Sequence, residues 1–535
     1  MEIKPDVLTN LIDIDLPTVN PFLTSDMTPA EARIMALRQS LFKKWLPNDT
    51  STLDRIAVDS FVAANLRCAS WETPDGSLYV DDILSQAIYM LNTDMYEDYL
   101  TPFVSIARGI NRGRHGPGSS NGTKANTHYH KLFHGDMTYK SESLYQTYRA
   151  QISSTWTEAE LFRRSVCKST VCRSSKVMTV PKNDRTSRTI CVEPSLNMFV
   201  QLGLGSCIED VLRRSHNIDL STQPDINRAM AREGSMNAKF CTIDLKQASD
   251  LIPRKFVEWL LPPEVYRALE TARSEYFTLP DGTEHRFEMF ASMGNGFTFP
   301  LQTLIFATLV RATYTCLGIK PIKTGIHRNY AVFGDDIVCL SDTYHIVCQV
   351  LRRAGAIVNE DKSFAVGSFR ESCGSDFFNG HNIRGIYLKE SKNESHIYSA
   401  FNRLSRWSAS NAIGINNSLR YIKGLAVFRP IPYDGADDEG FKIPSHLLTC
   451  RRKDPNGSIF YNALRRKPRV IEVAALTNPA GLYLSAIAGY VGTGGITVRS
   501  DRTSFQVVKC KTPRWDFIPD AGLTIQDYSH VSEVI

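Results

Sequence analysis

The sequence predicts an α+β protein centred on a small antiparallel sheet backed by helices on one face. Three observations carry this. Residues 236–390 run strand, helix, helix, hairpin, helix, strand when read by apolar spacing. Two short apolar runs, Tyr330–Phe333 and Ile337–Leu340, flank Gly334-Asp335-Asp336 and read as a hairpin. A third run, KFCTID from Lys239 to Asp244, reads as a buried strand ending in an acid.

Taken in order, the first hundred residues read as helical and mixed. In PAEARIMALRQSLFKKWL, Pro29 and the acid that follows suit a helix start. Asn111–Lys131, NRGRHGPGSSNGTKANTHYHK, is rich in Gly, Ser, Asn and basic residues and reads as a long loop. Such a loop is either a mobile surface segment or a flexible basic one that touches a phosphate backbone. His128 and His130 inside it form an isolated HxH, too little by itself for a metal site. Leu251–Phe277 has helical spacing through Phe256, Trp259, Leu260, Val265 and Leu269, broken at Pro262-Pro263. Pro300–Leu317 is a second helix, with Leu301, Leu304, Ile305 and Leu309 on one face and Gly318 just past its end. Thr343–Arg353 is a helix stopped at Gly355, and Ala356–Val358 is a strand. Residues 391–535 carry fewer signals, chiefly the basic clusters Arg451-Arg452-Lys453 and Arg465-Arg466-Lys467.

The bulk numbers narrow the class. A chain of 535 residues has room for several domains and ample core. Apolar content of 42% and charged content of 22% are ordinary for a folded soluble protein. A net charge of +6 is mild, so affinity for polyanions must come from local patches. The 12 cysteines include no CxxC pair, which argues against structural zinc and suits a reducing compartment. MEIKPDVLTNLIDIDL has acids where a signal peptide needs bases and an apolar run. Val473–Val491 is interrupted by Asn478-Pro479 and Gly481, so it reads as core and not as a membrane span, which needs about 20 apolar residues.

Two adjacent carboxylates between buried strands need a reason, because burying an ionised group unpaired is costly. At a tight turn, Asp335 and Asp336 can both sit at the tip, accessible from one side. Asp244 ends a separate strand that can lie beside the hairpin. Three converging carboxylates stay ionised only with a cation between them, and an all-oxygen donor set favours magnesium or manganese over zinc. Two such ions, roughly 4 Å apart, suit phosphoryl transfer. An exposed polar Gly-Asp turn is the plain alternative.

The flanking residues add a resemblance. FGDD in a hairpin, with Asp244 and Asp250 spaced Asp-x5-Asp in DLKQASD, resembles motifs C and A of viral RNA-dependent RNA polymerases. The similarity is closer still to the replicase subunit of the small RNA bacteriophages. TIDLKQASD at Thr242–Asp250, SMGNGFTF at Ser292–Phe299, GDDI at Gly334–Ile337 and FRESCG at Phe369–Gly374 stand in that family's order. A segment from Val180 to Met198, VPKN...DR...EP...NM, precedes them and also matches. The resemblance implies a right-hand polymerase of fingers, palm and thumb. Residues 1–235 would hold the N-terminal region and fingers, with a basic nucleotide-entry segment at 161–190. Residues 236–390 would be the palm, and 391–535 the thumb and C-terminal region.

The resemblance also implies roles. Asp244, Asp335 and Asp336 would hold two magnesium ions, with manganese as the alternative. Lys362, in NEDKSF, would donate a proton to the leaving pyrophosphate. Lys182, Arg185 and Arg188 would line the nucleotide entry channel and neutralise the triphosphate. Asp250 would accept a hydrogen bond from the ribose 2′-hydroxyl, and it equally suits a helix N-cap before Leu251. Ser292, Gly294, Asn295 and Thr298 would meet the nucleotide, with the glycines allowing close backbone approach. Arg370 would contact RNA phosphate, and Cys373 would only pack.

The implied activity is RNA-directed RNA polymerisation, started without a primer, on an RNA template with ribonucleoside triphosphates. The implied partners are host elongation factors Tu and Ts and a ribosomal protein, in the cytoplasm of an infected bacterium and away from membranes. Two rivals stay open: a reverse transcriptase, which shares the palm, and a non-catalytic RNA-binding protein on a polymerase scaffold.

Overall fold

Every residue of the strand Phe240–Ile243 is buried, as are Ala331, Val332 and Ile337 to Cys339. Strands with no polar alternation are covered on both faces, and the fold is arranged accordingly. The computed structural model describes residues 2–47, 49–98, 100–116, 118–123, 127–325, 327–390, 392–444, 458–467, 469–492, 494–498, 504–512 and 533–534. It is a mixed helix and sheet architecture. At its centre Asp336–Leu340 lies between two antiparallel neighbours, Phe240–Ile243 and Ala331–Phe333. The pairing sets Ile337 across from Ile243 and Cys339 across from Cys241.

Helices pack on both faces of this sheet, a correction to the expectation of one. Gln223–Asn237 brings Met230 against Phe240, Ala331 and Val338. The alternate side chains, Cys241, Ile243, Val332, Ile337 and Cys339, join the main core. That core also takes Leu304 and Ile305 from the helix Thr298–Cys316 and Val347 and Leu351 from Tyr344–Arg353.

Two further sheets frame the centre. Ser174–Pro181 and Ser187–Val192 form an antiparallel hairpin, extended by Tyr276–Thr278, parallel to the first strand, and by Glu284–Arg286. Phe369–Ser372, Ser375–Phe378 and His381–Asn382 form an antiparallel meander. Its first turn is Cys373-Gly374, both with positive φ, at +46° and +72°, as a tight hairpin turn of the right twist demands.

A second core joins distant parts of the chain. Leu8, Ile12 and Leu37, from Pro5–Asp15 and Pro29–Ser40, pack with Phe401, Leu404 and Leu419, from Glu394–Asn411 and Asn416–Lys423. The start of Pro29–Ser40 is fixed by a capping box, with Thr28 N–H donating to Glu31 Oε2 at 2.9 Å and Glu31 N–H to Thr28 Oγ1 at 3.3 Å. The earliest residues therefore belong with residues 388–443 in space and not with the segment that follows them in sequence.

Several local expectations need adjustment. The helical stretch after Leu251 is two helices, Arg254–Leu260 and Pro263–Ala272, ahead of a strand. The basic loop 111–131 is tied down where it is described: buried Lys131 donates from Nζ to Gly116 O at 2.8 Å, and Asn121 N–H donates to Glu193 O at 2.8 Å. Residues 117 and 124–126 lie outside the described residues. His128 stacks on Tyr490 at 4.2 Å, while His130 Nδ1 is engaged by Thr127 Oγ1 at 2.7 Å, so the two imidazoles serve packing and not a shared metal. Residues 473–491 hold the short helix Pro479–Ile487. No helix among the described residues is long and apolar enough to cross a membrane. Arg465-Arg466-Lys467 end the strand Ile459–Lys467, whereas Arg451-Arg452-Lys453 lie outside the described residues.

Candidate active site

The hairpin register pairs Asp336 with Phe333, so Gly334 and Asp335 are the two turn residues. Gly334 has φ +63°, and a Cβ there would collide with the Phe299 ring, so both conformation and space call for glycine. Its N–H donates to Thr303 Oγ1 at 3.0 Å, which ties the turn to the helix Thr298–Cys316. Asp335 stands at the tip. Asp336 begins the returning strand, and its Oδ1 accepts the Cys373 N–H at 3.0 Å and the Ser372 hydroxyl at 3.4 Å. Burial first, then the charges of Asp335, Asp244 and Glu371, push the Asp336 carboxyl up to about 6, against the Cys373 hydrogen bond.

Asp244 follows directly on Phe240–Ile243, and the register continued one step sets it across from Asp336. Asn359 clamps it twice, its Nδ2 donating to Asp244 Oδ2 at 2.7 Å and its N–H to Asp244 O at 2.9 Å. Ser363 Oγ accepts the Asp244 N–H at 3.1 Å. Burial raises the Asp244 carboxyl, Asn359 and Lys362 oppose this, and the neighbouring charges of Asp335 and Glu371 add to it. Three aspartates therefore sit in one electrostatic neighbourhood.

Cations face them. The hairpin of Ser174–Pro181 and Ser187–Val192 ends in Lys182 and carries Arg188 opposite Val180. Burial lowers the Lys182 ammonium, Arg188 and Lys362 push the same way, and Asp244 and Asp335 push back. Lys182 thus lies within electrostatic reach of Asp244 and Asp335 and of two further cations, Arg188 and Lys362. Lys362 comes from the short turn Glu360–Lys362. Arg185 stands apart: at the outer tip its side chain is 86% exposed and pairs with Asp184 at 3.5 Å.

Asp250 is buried, its carboxyl pushed up to about 6 by burial, with Ser249, the Met293 backbone and the Arg188 charge opposing. It caps no helix, since the next helix starts at Arg254 with Pro253 as its N-cap. The Met293 contact joins Asp250 to the 292–299 loop. There Gly294 has φ +114°, and a Cβ would collide with Cys191 O. The Thr298 hydroxyl donates to Ser292 O at 2.9 Å, and Asn295 Oδ1 accepts the Phe297 N–H at 3.0 Å. The Thr298 hydroxyl and the Ser292 carbonyl are thus spent on shaping the loop. Among the described hydrogen bonds the Asn295 amide donates to none.

Arg370 departs from expectation. It is fully buried, and its guanidinium donates to five backbone carbonyls, those of Phe240, Ala365, Val366, Gly367 and Phe369, at 2.6–3.3 Å. A group so enclosed offers no donor to an RNA phosphate; it fastens the Phe369–Ser372 strand to Phe240–Ile243. Burial and the Asp336 charge push the Cys373 thiol up to about 12, and the residue's backbone N–H holds Asp336, a role invisible in residue type.

Sequence reasoning missed Asn359, Ser363, Thr303 and Asn227. Asn227 is fully buried and donates from Nδ2 to Asp336 O at 3.0 Å. The only signal was for Asn359 and Ser363, which bracket Lys362 in VNEDKSF.

The donor set suits a hard divalent ion. Magnesium is held by one or two carboxylates, with water and substrate phosphates completing its shell. Asp244 and Asp335 meet that description, and among the described residues no three His, Cys, Asp or Glu side chains form a ready cage.

Comparison with known proteins gives the family of the chain. Residues 4–474 match the family model described as RNA replicase, beta-chain. The RNA-directed RNA polymerase subunit beta of Qbeta virus (strain MX1) is 40% identical over 240 residues, covering 45% of this chain and 40% of that one. The RNA-directed RNA polymerase beta chain of Escherichia phage MS2 is 40% identical over 305 residues, covering 56% of this chain and 54% of that one. A solved structure described as "RdRp complex" aligns at 13% identity with a TM-score of 0.38, covering 65% of this chain and 34% of that one. The chain spans about half the length of the curated relatives it matches. With its motifs in order and the family model spanning residues 4–474 of 535, the chain belongs to the RNA replicase beta-chain family.

Proposed function

We propose that this chain is the catalytic subunit of an RNA-directed RNA polymerase that copies a viral RNA by nucleotidyl transfer, without a primer. The observation that carries the reading is that Lys182 and Lys362, from separate elements, lie within electrostatic reach of Asp244, with Asp335 and Arg188 acting on Lys182 as well. Residues 236–390 would be the palm, residues 1–235 the N-terminal region and fingers, and residues 391–535 the thumb and C-terminal region.

The 3′-hydroxyl of the growing RNA attacks the α-phosphate of a ribonucleotide, and pyrophosphate leaves. Lys182 and Arg188 hold the triphosphate, a point charge and a fork respectively. Lys362 gives its proton to the departing pyrophosphate. Asp250 accepts the ribose 2′-hydroxyl, with Asn295 as the loop's donor. Asp244 and Asp335 would hold two magnesium or manganese ions, with Asp336 bracing the site through the Cys373 turn. Such ions, when bound, lower the pKa of the attacking hydroxyl and neutralise developing charge. Positioning and electrostatics then supply most of the acceleration.

The partners fitting this reading are an RNA template, ribonucleoside triphosphates, elongation factors Tu and Ts and a ribosomal protein, in the cytoplasm of a bacterial host. The test is incorporation of labelled ribonucleotide and deoxynucleotide on an RNA template, with and without magnesium. Magnesium-dependent ribonucleotide incorporation is expected. Preference for deoxynucleotide would favour the reverse transcriptase, and tight RNA binding without turnover, even with host lysate, would favour a scaffold protein.

A further inference from the structure

A cavity of about 560 Å³ opens where the helix Glu394–Asn411 meets the 375–382 hairpin and the helices Pro29–Ser40 and Gln223–Asn237. Five arginines line it: Arg33, Arg232, Arg384, Arg403 and Arg406. Two are balanced by acids. Arg384 bridges Glu371 at 3.2 Å and Asp376 at 2.8 Å, and Arg406 pairs with Asp437 at 2.8 Å. The other three have no carboxylate partner among the described residues. Arg33 and Arg232 reach only backbone carbonyls, at Asn382 and Gly380. Trp407 also lines the cavity; it is 5% exposed, and among the described residues its indole N–H has no partner.

Three guanidinium groups without counter-charge lining one cavity repel one another, and an anion bound among them relieves that repulsion. Guanidinium forks match phosphate oxygens, and the volume lies in the range of sites that take one nucleotide-sized ligand. The carboxylate site belongs elsewhere: none of its aspartates lines the cavity. The two are nonetheless linked, because Arg384 holds Glu371, whose charge acts on Asp244 and Asp336.

We infer that this cavity is a second phosphate-recognition site, taking one nucleotide unit, with Arg33, Arg232 and Arg403 on its phosphate. The phosphate belongs either to a single-stranded RNA or to a free nucleotide. The choice of a nucleotide as its carrier rests on the polymerase reading.

The experiment uses the full chain carrying Asp335→Asn, so that the probe is not consumed and failure here is separate from failure of the polymerase reading. Binding of a labelled single-stranded RNA decamer, and its competition by ATP, are measured by fluorescence anisotropy over a salt series. Adding R33A and R403A should weaken decamer binding about tenfold and flatten its log affinity against log salt slope by about 0.7, one phosphate contact on a single strand. R33K with R403K should keep the slope. Weakening confined to the decamer assigns the site to an RNA strand, and loss of ATP competition assigns it to a free nucleotide. Unchanged affinity and slope for both probes overturns the inference. A thermal melt checks folding, and R403Q alone carries the same test should the double variant unfold.

Discussion

The hydroxyl of Thr303 accepts the N–H of Gly334 at 3.0 Å and donates to Phe299 O at 2.8 Å. One side chain on a buried helix thus fixes the turn that presents Asp335, while the Phe299 ring fills the space a Cβ on Gly334 would need.

Thr303→Val keeps the shape and removes the acceptor. A buried N–H left unpaired costs about 1–3 kcal/mol. The thermal midpoint should fall, and nucleotide incorporation should slow by about tenfold or more as Asp335 loses its fixed position. Incorporation at the native rate would show that the turn holds itself.

The entry cations divide by position. Lys182→Ala should raise the nucleotide KM by about tenfold, the loss of one charge-assisted contact. Arg185→Ala should change it less than about twofold, as expected of an exposed ion pair. Steady-state kinetics on one template separates the two, and equal effects would contradict the placement of the hairpin.

Asp250 makes stability depend on pH. Its carboxyl titrates at about 6 in the fold and near 4 when unfolded. Between those values the folded chain keeps a proton that the unfolded chain has released, so stability falls as pH rises through the window, by about 3 kcal/mol in all. Denaturant midpoints at the two ends of the window should therefore differ less in Asp250→Asn than in the native chain.

The same residue sets sugar choice under the proposed reading. Asp250→Ala should cut the preference for ribonucleotide over deoxynucleotide by about 10- to 100-fold, the worth of one hydrogen bond to a charged group. Competition between the two substrates on one template measures it.

Arg370→Lys should destabilise the protein by about 3 kcal/mol or more, because one ammonium cannot satisfy five carbonyls. The salt dependence of RNA binding by the folded protein should not change, whereas loss of a phosphate contact would lower it.

Legibility in the sequence tracked the range of the interactions. The 331–340 hairpin was readable because a Gly-Asp turn between apolar runs is local chemistry, and its strands stand within a residue of expectation. The helices Thr298–Cys316 and Tyr344–Arg353 were readable from spacing for the same reason. Arg370 was not, since its partners include Phe240 O, 130 residues away, and a basic residue beside a motif looks the same whether it holds phosphate or backbone. The service of Cys373 to Asp336 is a backbone property that no residue type reveals. Helices on both sheet faces were not read from the sequence, because the second face is covered by Gln223–Asn237 within a core assembled from distant segments. The joining of Pro5–Asp15 to Asn416–Lys423 is of that kind too.

The most direct test of the central claim, that Asp244 and Asp335 form the reacting site, is single-turnover ribonucleotide incorporation by Asp335→Asn beside the native chain, at saturating RNA and nucleotide. The account predicts an unchanged thermal midpoint and a rate lower by at least about a thousandfold, some 4 kcal/mol of barrier. A folded variant that keeps a tenth of the native rate would contradict it.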